Sequence, residues 1–412
     1  MKITKYIVAT KDGDSYILLN PATSGIIRVN ADAYKRIMAR DLAKFSPEEK
    51  EILKKASFLV SDDYDDTILT NIYKAYLDNG LNIVFITSED CNFNCSYCYE
   101  HHKKKHIEKE IYDAALKYAK RSDKTDIVIN WFGGEPLLEI SNIEYFMNKL
   151  IALDKFKKVT SSVITNGYLL DKTNFLRLLK VKTNIFQITL DGLKSEHDSL
   201  RFLRNGEGTF DKIVSNIKQM AETSLDFKVY LRCNFNEGTN LLDYVDFIYD
   251  LIGNDKRFIL DFEAIGNWES SSEGVPSAHS NGNVLKAMQK AYHKGLRVRC
   301  VEEDTCPSGY FCVAKKKDSF ILNYKGDVLK CTVKLDWDKN IVGHLNNDGT
   351  IDYNKNLLLW REPTRTDNCD KCNVRPLCLQ RYCPHIDYTT CKKQKEMAAI
   401  SAMKVKYGHM EN

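Results

Sequence analysis

Short apolar runs that alternate with polar residues predict a small domain at the N-terminal end of the chain. Three such runs are separated by D-G and S-G turn sequences and predict antiparallel strands. These strands are expected at residues 5–9, 16–19 and 26–29. Helix-start signals follow at Asn30 and Ser46, and an apolar run at 58–60 comes after the second helix. The pattern predicts a domain at residues 1–70, with the acidic run at 62–66 as a linker.

From about Asn82 the pattern changes to buried apolar runs that alternate with amphipathic stretches such as 111–120 and 210–221. The apolar runs lie at residues 83–87, 127–131, 162–165, 185–190, 228–233 and 258–262. Alternating strands and helices predict an α/β domain with a parallel sheet and right-handed crossovers. Six such units at residues 80–290 predict a partial (β/α)6 barrel of the TIM type, whose functional residues are expected where the strands end.

Composition limits the classes of protein that this chain can be. At 412 residues and 43% hydrophobic content, it is long enough for two or three domains. Its lack of a signal peptide or an 18-residue apolar run predicts a soluble, cytoplasmic protein without a membrane partner. Thirteen cysteines in such a chain predict metal ligation rather than disulfides, and a net charge of +4 does not indicate a nucleic-acid partner.

Three closely spaced cysteines, Cys91, Cys95 and Cys98, follow the first barrel strand in the sequence C-N-F-N-C-S-Y-C. They can hold one iron-sulfur cluster or, alternatively, one zinc ion. A 4Fe-4S cluster on three thiolates has one iron open to an external molecule. The spacing, with Tyr97 before the last cysteine, resembles the radical S-adenosylmethionine (SAM) superfamily. The resemblance implies that SAM binds at the open iron and is cleaved to methionine and a 5′-deoxyadenosyl radical.

Later barrel strands end in polar or glycine-rich sequences that suit a SAM site. The second is followed by Gly133-Gly134-Glu135-Pro136, in which paired glycines let main chain approach a ligand and a carboxylate can hold an ammonium group. This segment resembles the superfamily segment that contacts the SAM amino group. The H-D-x-x-R run at residues 197–201 supplies Arg201, which can pair with the SAM carboxylate. Arg204 fits this role equally well. The remaining candidate SAM contacts are Asn166, Thr189, Asp191, Arg201 and Asn234.

The C-terminal third, residues 300–412, carries eight more cysteines, including a C-x2-C-x5-C run. It resembles the SPASM domain, which holds two auxiliary 4Fe-4S clusters and would bring the total to three. The resemblance assigns one auxiliary cluster to Cys306, Cys312, Cys331 and Cys383. It assigns the other to Cys369, Cys372, Cys378 and Cys391. The spacing between Cys378 and Cys383 is one residue longer than is usual in the family, and zinc is the alternative for the C-x2-C-x5-C run.

The N-terminal pattern of strands and helices is that of a winged helix-turn-helix. It resembles the recognition element of enzymes that modify ribosomally made peptides, which binds a leader peptide as an added strand, although a packing module without a ligand is the alternative. The whole chain therefore resembles a maturase of ribosomal precursor peptides. The resemblance implies hydrogen abstraction from a leader-bearing precursor peptide and a cross-link, with a thioether as the first candidate and a C–C or C–O bond as the alternatives. A flavodoxin- or ferredoxin-type protein is the expected low-potential electron donor.

Two other functions stay open. An anaerobic sulfatase maturase oxidises cysteine or serine to formylglycine, but such enzymes place an aspartate after the cysteine that matches Cys331, where this chain has Thr332. They also lack the N-terminal module. A non-catalytic iron-sulfur protein that binds a peptide is the third hypothesis. The G-G-E-P segment and the cysteine triplet count against it.

Overall fold

The structure is a computed structural model, and it describes residues 1–77, 80–266, 282–305, 312, 314, 316–361, 369–378, 384 and 394–409. The chain forms two compact units. The first comprises Met1–Asn79, Val298–Lys316 and Arg361–Asn412, and the second comprises Gly80–Arg297 and Lys317–Trp360. Residues 317–360 of the predicted C-terminal domain therefore belong to the same unit as the predicted barrel strands.

Strands and helices alternate through most of the second unit. In chain order the strands are β1 (Lys2–Ile3), β2 (Val8–Asp12), β3 (Ser15–Asn20), β4 (Gly25–Asn30), β5 (Leu59–Val60), β6 (Leu81–Ser88), β7 (Asp126–Gly133), β8 (Lys158–Thr165), β9 (Thr183–Thr189), β10 (Lys228–Phe235), β11 (Phe258–Ala264), β12 (Arg297–Val298), β13 (Ser319–Leu322), β14 (Asp327–Leu329), β15 (Ile341–Leu345) and β16 (Ile351–Tyr353). The helices are α1 (Ala31–Ala39), α2 (Pro47–Lys55), α3 (Tyr64–Leu77), α4 (Lys109–Arg121), α5 (Ile140–Ala152), α6 (Lys172–Lys180), α7 (Lys194–Leu200), α8 (Phe210–Ala221), α9 (Leu241–Ile252), α10 (Val284–His293), α11 (Arg299–Glu303), α12 (Asn356–Arg361), α13 (Arg375–Cys378) and α14 (Gln394–Tyr407).

The first unit is built on the antiparallel sheet β2-β3-β4, as the three apolar runs predicted. The two predicted helix starts are also present. The Asn30 side chain accepts from the N–H of Ala33 at 2.8 Å, and Ser46 forms a capping box with Glu49. The first of the three predicted strands, β2, starts at Val8 rather than at residue 5. The segment before it turns at Lys5, whose carbonyl accepts from the N–H of Ile7.

The predicted acidic linker is wrong. Its residues start helix α3, where carboxylates are favoured by the positive end of the helix dipole. Asp65 is buried and accepts a hydrogen bond of 2.6 Å from the Thr4 hydroxyl, which fastens α3 to the N-terminal strand.

The small sheet is covered on both faces because successive side chains of β3 point in opposite directions. Leu18 packs with Ile37, Phe45 and Leu53 of the helical side. Ile17 and Leu19 pack instead on residues from the C-terminal part of the chain. These partners are Val374, Leu377, Ala399 and Met403. The C-terminal helices α13 and α14 therefore complete the core of the N-terminal domain.

The second unit contains a large, mostly parallel sheet, and all six predicted barrel strands are found in it as β6 to β11. These six strands lie side by side in parallel, in the order of the chain. A six-stranded barrel would end at β6, but this sheet continues beyond it. Strand β13 pairs with β6 in parallel, and β14, β15 and β16 follow it as an antiparallel meander. Trp131 lies in the core behind β6 and β7, stacked on Phe85.

Candidate active site

The three clustered cysteines lie in the loop that follows β6. Cys91 is buried and the other two are half-buried. The loop is held by main-chain bonds to the segment after α7: the N–H groups of Asn94 and Ser96 donate to the carbonyls of Phe202 and Leu200 at 2.9 and 3.0 Å. The N–H of Phe93 points at the Cys91 sulfur at 3.4 Å. The residues around the thiols are therefore fixed by main chain rather than by side-chain contacts alone.

Gly133 and Gly134 bring the end of β7 against this loop. The N–H groups of Gly134 and Glu135 donate to the carbonyls of Ser88 and Asp90 at 2.9 and 2.8 Å. A β-carbon on Gly133 would overlap the Ser88 carbonyl, and one on Gly134 would overlap that of Asp90. Gly133 also has a φ of +112°, which disfavours any side chain. The sequence predicted that the paired glycines let main chain approach a ligand. In the structure they let the end of β7 approach the cysteine loop.

Glu135 is completely buried and joins the ends of two strands. One carboxylate oxygen accepts from the Thr165 hydroxyl at 2.7 Å and from the Leu137 N–H at 2.9 Å. The other accepts from the Asn166 N–H at 2.8 Å. Burial raises the pKa of Glu135, and these hydrogen bonds act in the opposite direction. An ionised carboxylate has about four acceptor sites, so one remains for an ammonium group. Pro136 is buried and begins the short helix Pro136–Glu139.

Asn166 links the end of β8 to the cysteine loop. Its amide donates to the Asn92 side-chain oxygen at 2.8 Å and lies 3.9 Å from the Cys91 sulfur. The amide nitrogen of Asn92 is buried and has no acceptor among the described residues. No sequence pattern singled out Asn92, because its importance depends on the loop meeting β8 in space.

Tyr97 is the centre of a hydrogen-bond network between the cysteine loop and the ends of β9 and β10. Its hydroxyl accepts from Arg201 at 2.8 Å and from the Asn234 amide at 3.0 Å, and it donates to Asp191. The Asn234 N–H also donates to Asp191 at 2.7 Å. Burial raises the pKa of Tyr97 well above its usual range, which keeps it a neutral donor. The structure thus brings four predicted site residues into one cluster, and Thr189 lies buried at the end of β9 beside them.

Arg201 is the one of the two candidate arginines that enters this network. It is buried, and its Nε lies 3.8 Å from Asp191, too far for a hydrogen bond, with no other acceptor in the described part of the chain. Arg204 is exposed instead and forms an ion pair with Asp90.

His197, Asp198 and Thr209 hold the network in place from behind. The His197 Nδ1 accepts from the Asp191 N–H at 3.0 Å, and its Nε2 lies 3.0 Å from the Thr209 hydroxyl. Asp198 accepts from the N–H groups of Thr209 and Phe210 at 2.7 and 2.9 Å. The H-D-x-x-R run and the G-E-G-T-F-D stretch that follows it marked this region in the sequence. Neither predicted the contact between Thr209 and His197, since it joins two segments through a buried imidazole.

Five of the eight C-terminal cysteines lie in the described residues. Cys331 follows β14 in the second unit, where the N–H of Val333 points at its sulfur at 3.4 Å, as Phe93 does at Cys91. The buried Asn340 accepts from the Cys331 N–H at 2.8 Å. The others belong to the first unit and are Cys312, which is exposed, and the half-buried Cys369, Cys372 and Cys378. Cys306, Cys383 and Cys391 lie outside the described residues.

The residues around the triplet fit an iron-sulfur cluster with SAM. Burial raises the pKa of Cys91, and it raises that of Cys98 to about 12, so thiolates here need a cationic partner such as iron. The unpaired donors of Asn92 and Arg201 need acceptors, which cluster sulfides or a carboxylate would provide. Within the described ranges, no three His, Cys, Asp or Glu side chains are grouped closely enough to hold a single metal ion. No helix among the described residues is long and apolar enough to cross a membrane.

Comparisons with known proteins agree with this site. The family model of the radical SAM superfamily matches residues 85–238, which run from β6 to the end of β10. A cysteine-type anaerobic sulfatase-maturating enzyme of Clostridium novyi is 25% identical over 327 residues, covering 71% of this chain and 84% of that enzyme. The radical SAM cyclopropyl synthase TigE of Paramaledivibacter caminithermalis is 22% identical over 306 residues, or 63% of each chain.

Solved structures share the fold. The anaerobic sulfatase-maturating enzyme anSMEcpe with bound AdoMet and the Kp18Cys peptide matches with a TM-score of 0.59 at 17% identity, covering 79% of this chain and 96% of that one. Streptococcus suis SuiB bound to its precursor peptide SuiA matches with a TM-score of 0.51 at 16% identity, covering 92% and 94%. Residues 85–238 are therefore a radical SAM domain, and the chain is similar in sequence to a sulfatase-maturating enzyme and shares the fold of anSMEcpe and SuiB.

Proposed function

We propose that this enzyme modifies a ribosomally made precursor peptide by abstracting a hydrogen atom from it and installing a cross-link, with a thioether as the first candidate. The observation that carries the proposal is the domain of strands β2 to β4 at the start of the chain. Strand β4 borders β3 on one side and no other described strand on the other. An edge strand of this kind can accept a leader peptide as an additional strand.

The cysteine loop would hold the cluster through Cys91, Cys95 and Cys98. With SAM bound and an electron from a flavodoxin- or ferredoxin-type donor, that site supplies a 5′-deoxyadenosyl radical. Glu135 has an acceptor site for the SAM ammonium, and the Nε–H of Arg201, which has no acceptor among the described residues, can donate to the SAM carboxylate. The residues proposed to shape the rest of the SAM site are Tyr97, Gly133, Gly134, Pro136, Asn166, Thr189, Asp191 and Asn234.

Thioether formation has a fixed balance of atoms and electrons. A C–H bond and a cysteine S–H bond of the peptide break, and one C–S bond forms. The carbon's hydrogen atom leaves to the radical, the thiol proton goes to a base or to solvent, and one electron must leave the substrate. The auxiliary 4Fe-4S clusters proposed for residues 300–412 are the candidate acceptors of that electron.

The test is mass spectrometry of peptides treated with the full chain, reconstituted without oxygen and supplied with SAM and a chemical reductant. The reading frames next to this gene are first searched for a short precursor peptide, which is then synthesised as the probe. We expect 5′-deoxyadenosine and a peptide that has lost two hydrogen atoms and one alkylatable thiol. The same peptide without its leader is expected to react poorly. SAM cleavage with an unchanged peptide mass, with or without the leader, would overturn the proposal.

Formylglycine formation on a sulfatase peptide is the second candidate, and the similarity to two sulfatase maturases favours it. The position after Cys331 argues against it, because Thr332 is a poor base near neutral pH. A sulfatase peptide added to the same assay separates the two functions. An aldehyde on that peptide, together with an unmodified precursor, would make the second candidate the correct one.

A further inference from the structure

One face of β10 points toward the candidate active site. Its side chains alternate between half-buried and buried along the strand. Asn234 belongs to the half-buried set and reaches the Tyr97 hydroxyl in the cysteine loop. Arg232 is two residues earlier and therefore lies on the same face, one step deeper below the cysteine loop. The sequence marked the end of this strand without giving Arg232 a role.

Arg232 is held by its neighbour on β11. It faces Asp261 in the register of the two parallel strands. Its Nε and Nη2 lie 2.8 and 2.6 Å from the same carboxylate oxygen of Asp261. The side chains are 22% and 6% exposed, so Asp261 fixes a guanidinium whose outer edge stays accessible. Its Nη1 has no acceptor among the described residues.

A second arginine, Arg257 directly before β11, shows what a purely structural ion pair looks like. Arg257 also binds a nearby carboxylate, that of Asp255. Its Nη1 donates to the carbonyls of Thr223 and Leu225 at 2.6 and 2.9 Å, and its Nη2 donates to the Ala221 carbonyl at 2.9 Å. Every nitrogen of Arg257 is therefore used within the protein. Arg232 differs because its Nη1 has no acceptor among the described residues and is available to another molecule.

The charges around Arg232 favour a neutral acceptor. Asp261 already balances its positive charge. Burial raises the pKa of Asp191, and Arg232 is close enough to that carboxylate to act in the opposite direction. The exposed Glu263 follows Asp261 on the same face, beside Asn234. An additional carboxylate would meet these negative charges, whereas a peptide carbonyl is neutral and accepts from a guanidinium in water-poor surroundings.

We propose that Arg232 binds a main-chain carbonyl of the peptide segment that is modified, and that Asp261 positions its guanidinium. The inference rests on the proposed function, because it assigns the substrate to a peptide. It gives the enzyme a contact with the peptide backbone that does not depend on the side chain presented.

The test compares Arg232→Met and Asp261→Asn with wild type, using the synthetic precursor peptide. A hydrogen bond to a charged group predicts that Arg232→Met raises KM for the peptide by about 10- to 100-fold, with a smaller fall in kcat. The KM of Asp261→Asn is expected to lie between those of the wild type and Arg232→Met. Arg177→Met is the matched control, since Arg177 makes a similar paired contact with Glu144 on the outer helices. It should leave both constants unchanged.

A second series identifies the acceptor. In these peptides one amide at a time is replaced by a thioamide, which is a weaker acceptor. At one position this replacement should raise the KM of the wild-type enzyme but not the KM of Arg232→Met. Sensitivity instead to an aspartate or glutamate side chain would overturn the carbonyl assignment. Equal KM values for wild type and Arg232→Met would overturn the role of Arg232 while the proposed function stood. If the wild-type enzyme cleaves SAM but modifies no peptide, both the proposed function and the role of Arg232 are contradicted.

Discussion

His197 is a completely buried imidazole whose two nitrogens have opposite roles. Nδ1 accepts from the Asp191 N–H, so it carries no proton. The Thr209 hydroxyl already donates to the Arg201 carbonyl at 2.9 Å, so Nε2 must be the donor to Thr209. A neutral ring with its proton on Nε2 therefore joins Asp191, after β9, to Thr209, directly before α8. Both Asp191 and Arg201, which meet at Tyr97, depend on it for their positions.

This arrangement predicts a pH dependence of stability. Burial and, second, Arg201 lower the pKa of His197 to about 3, whereas an unfolded histidine titrates near about 6.5. Below about pH 6.5 this histidine binds a proton in the unfolded chain but stays neutral in the folded protein. The free energy of unfolding therefore falls as the pH falls. The contribution reaches about 1.4 kcal/mol per pH unit. His197→Gln keeps one acceptor and one donor without titrating.

Thermal unfolding of both proteins from pH 7.5 to pH 5.5 checks this prediction. The wild-type Tm is expected to fall more steeply than that of His197→Gln, and the two curves should converge at acidic pH. Parallel curves would show that His197 is protonated in the folded protein or contributes nothing to its acid sensitivity.

The site residues that could be predicted are those with a local signal. The cysteine triplet and the G-G-E-P segment are contiguous in sequence, and Arg201 follows a recognisable run. Asn92 and Arg232 have no such signal, and nothing in the sequence predicts the contact that Thr209 makes. Each matters because of what lies opposite it in space, namely Asn166, Asp261 and His197. Long-range hydrogen bonds of this kind are fixed by the packing of the loops and not by residue type or spacing.

At the scale of elements, the end of β7 and the cysteine loop form one structural piece. Gly134→Ala places a β-carbon into the Asp90 carbonyl, close to the β-carbon of Cys91. The loop must shift, so we expect lower iron content at the triplet and slower SAM cleavage. Gly206→Ala is the matched control, because Gly206 has a φ of +86° but nothing near an added β-carbon. Iron analysis after reconstitution checks the prediction. Equal iron loss in both variants would mean that general strain, not contact with the cysteine loop, is responsible.

The six parallel strands could be predicted because each is a buried apolar run followed by a helix. The extension of their sheet by β13 to β16 could not. Strand β13 pairs with β6, placing Ser319 opposite Asn82 and joining segments more than 200 residues apart in the chain. Its short apolar run does not indicate which strand it borders. The N-terminal sheet shows the same limit, since its second face is covered by α13 and α14.

At the scale of the whole molecule, the cysteines determine how much iron the chain can hold. One 4Fe-4S cluster on the triplet and two auxiliary clusters predict about twelve irons per chain, whereas the triplet alone predicts about four. Cys95→Ala should remove about four and leave the rest, because the proposed auxiliary sites do not use the β6 loop. Cys372→Ala should remove a different four while SAM cleavage without peptide continues. Iron and sulfide analysis of the reconstituted proteins, with Cys233→Ala as a buried cysteine outside every proposed ligand set, checks these numbers. About four irons in wild type, all lost in Cys95→Ala, would refute the auxiliary clusters and leave the electron from cross-linking without the acceptor proposed for it.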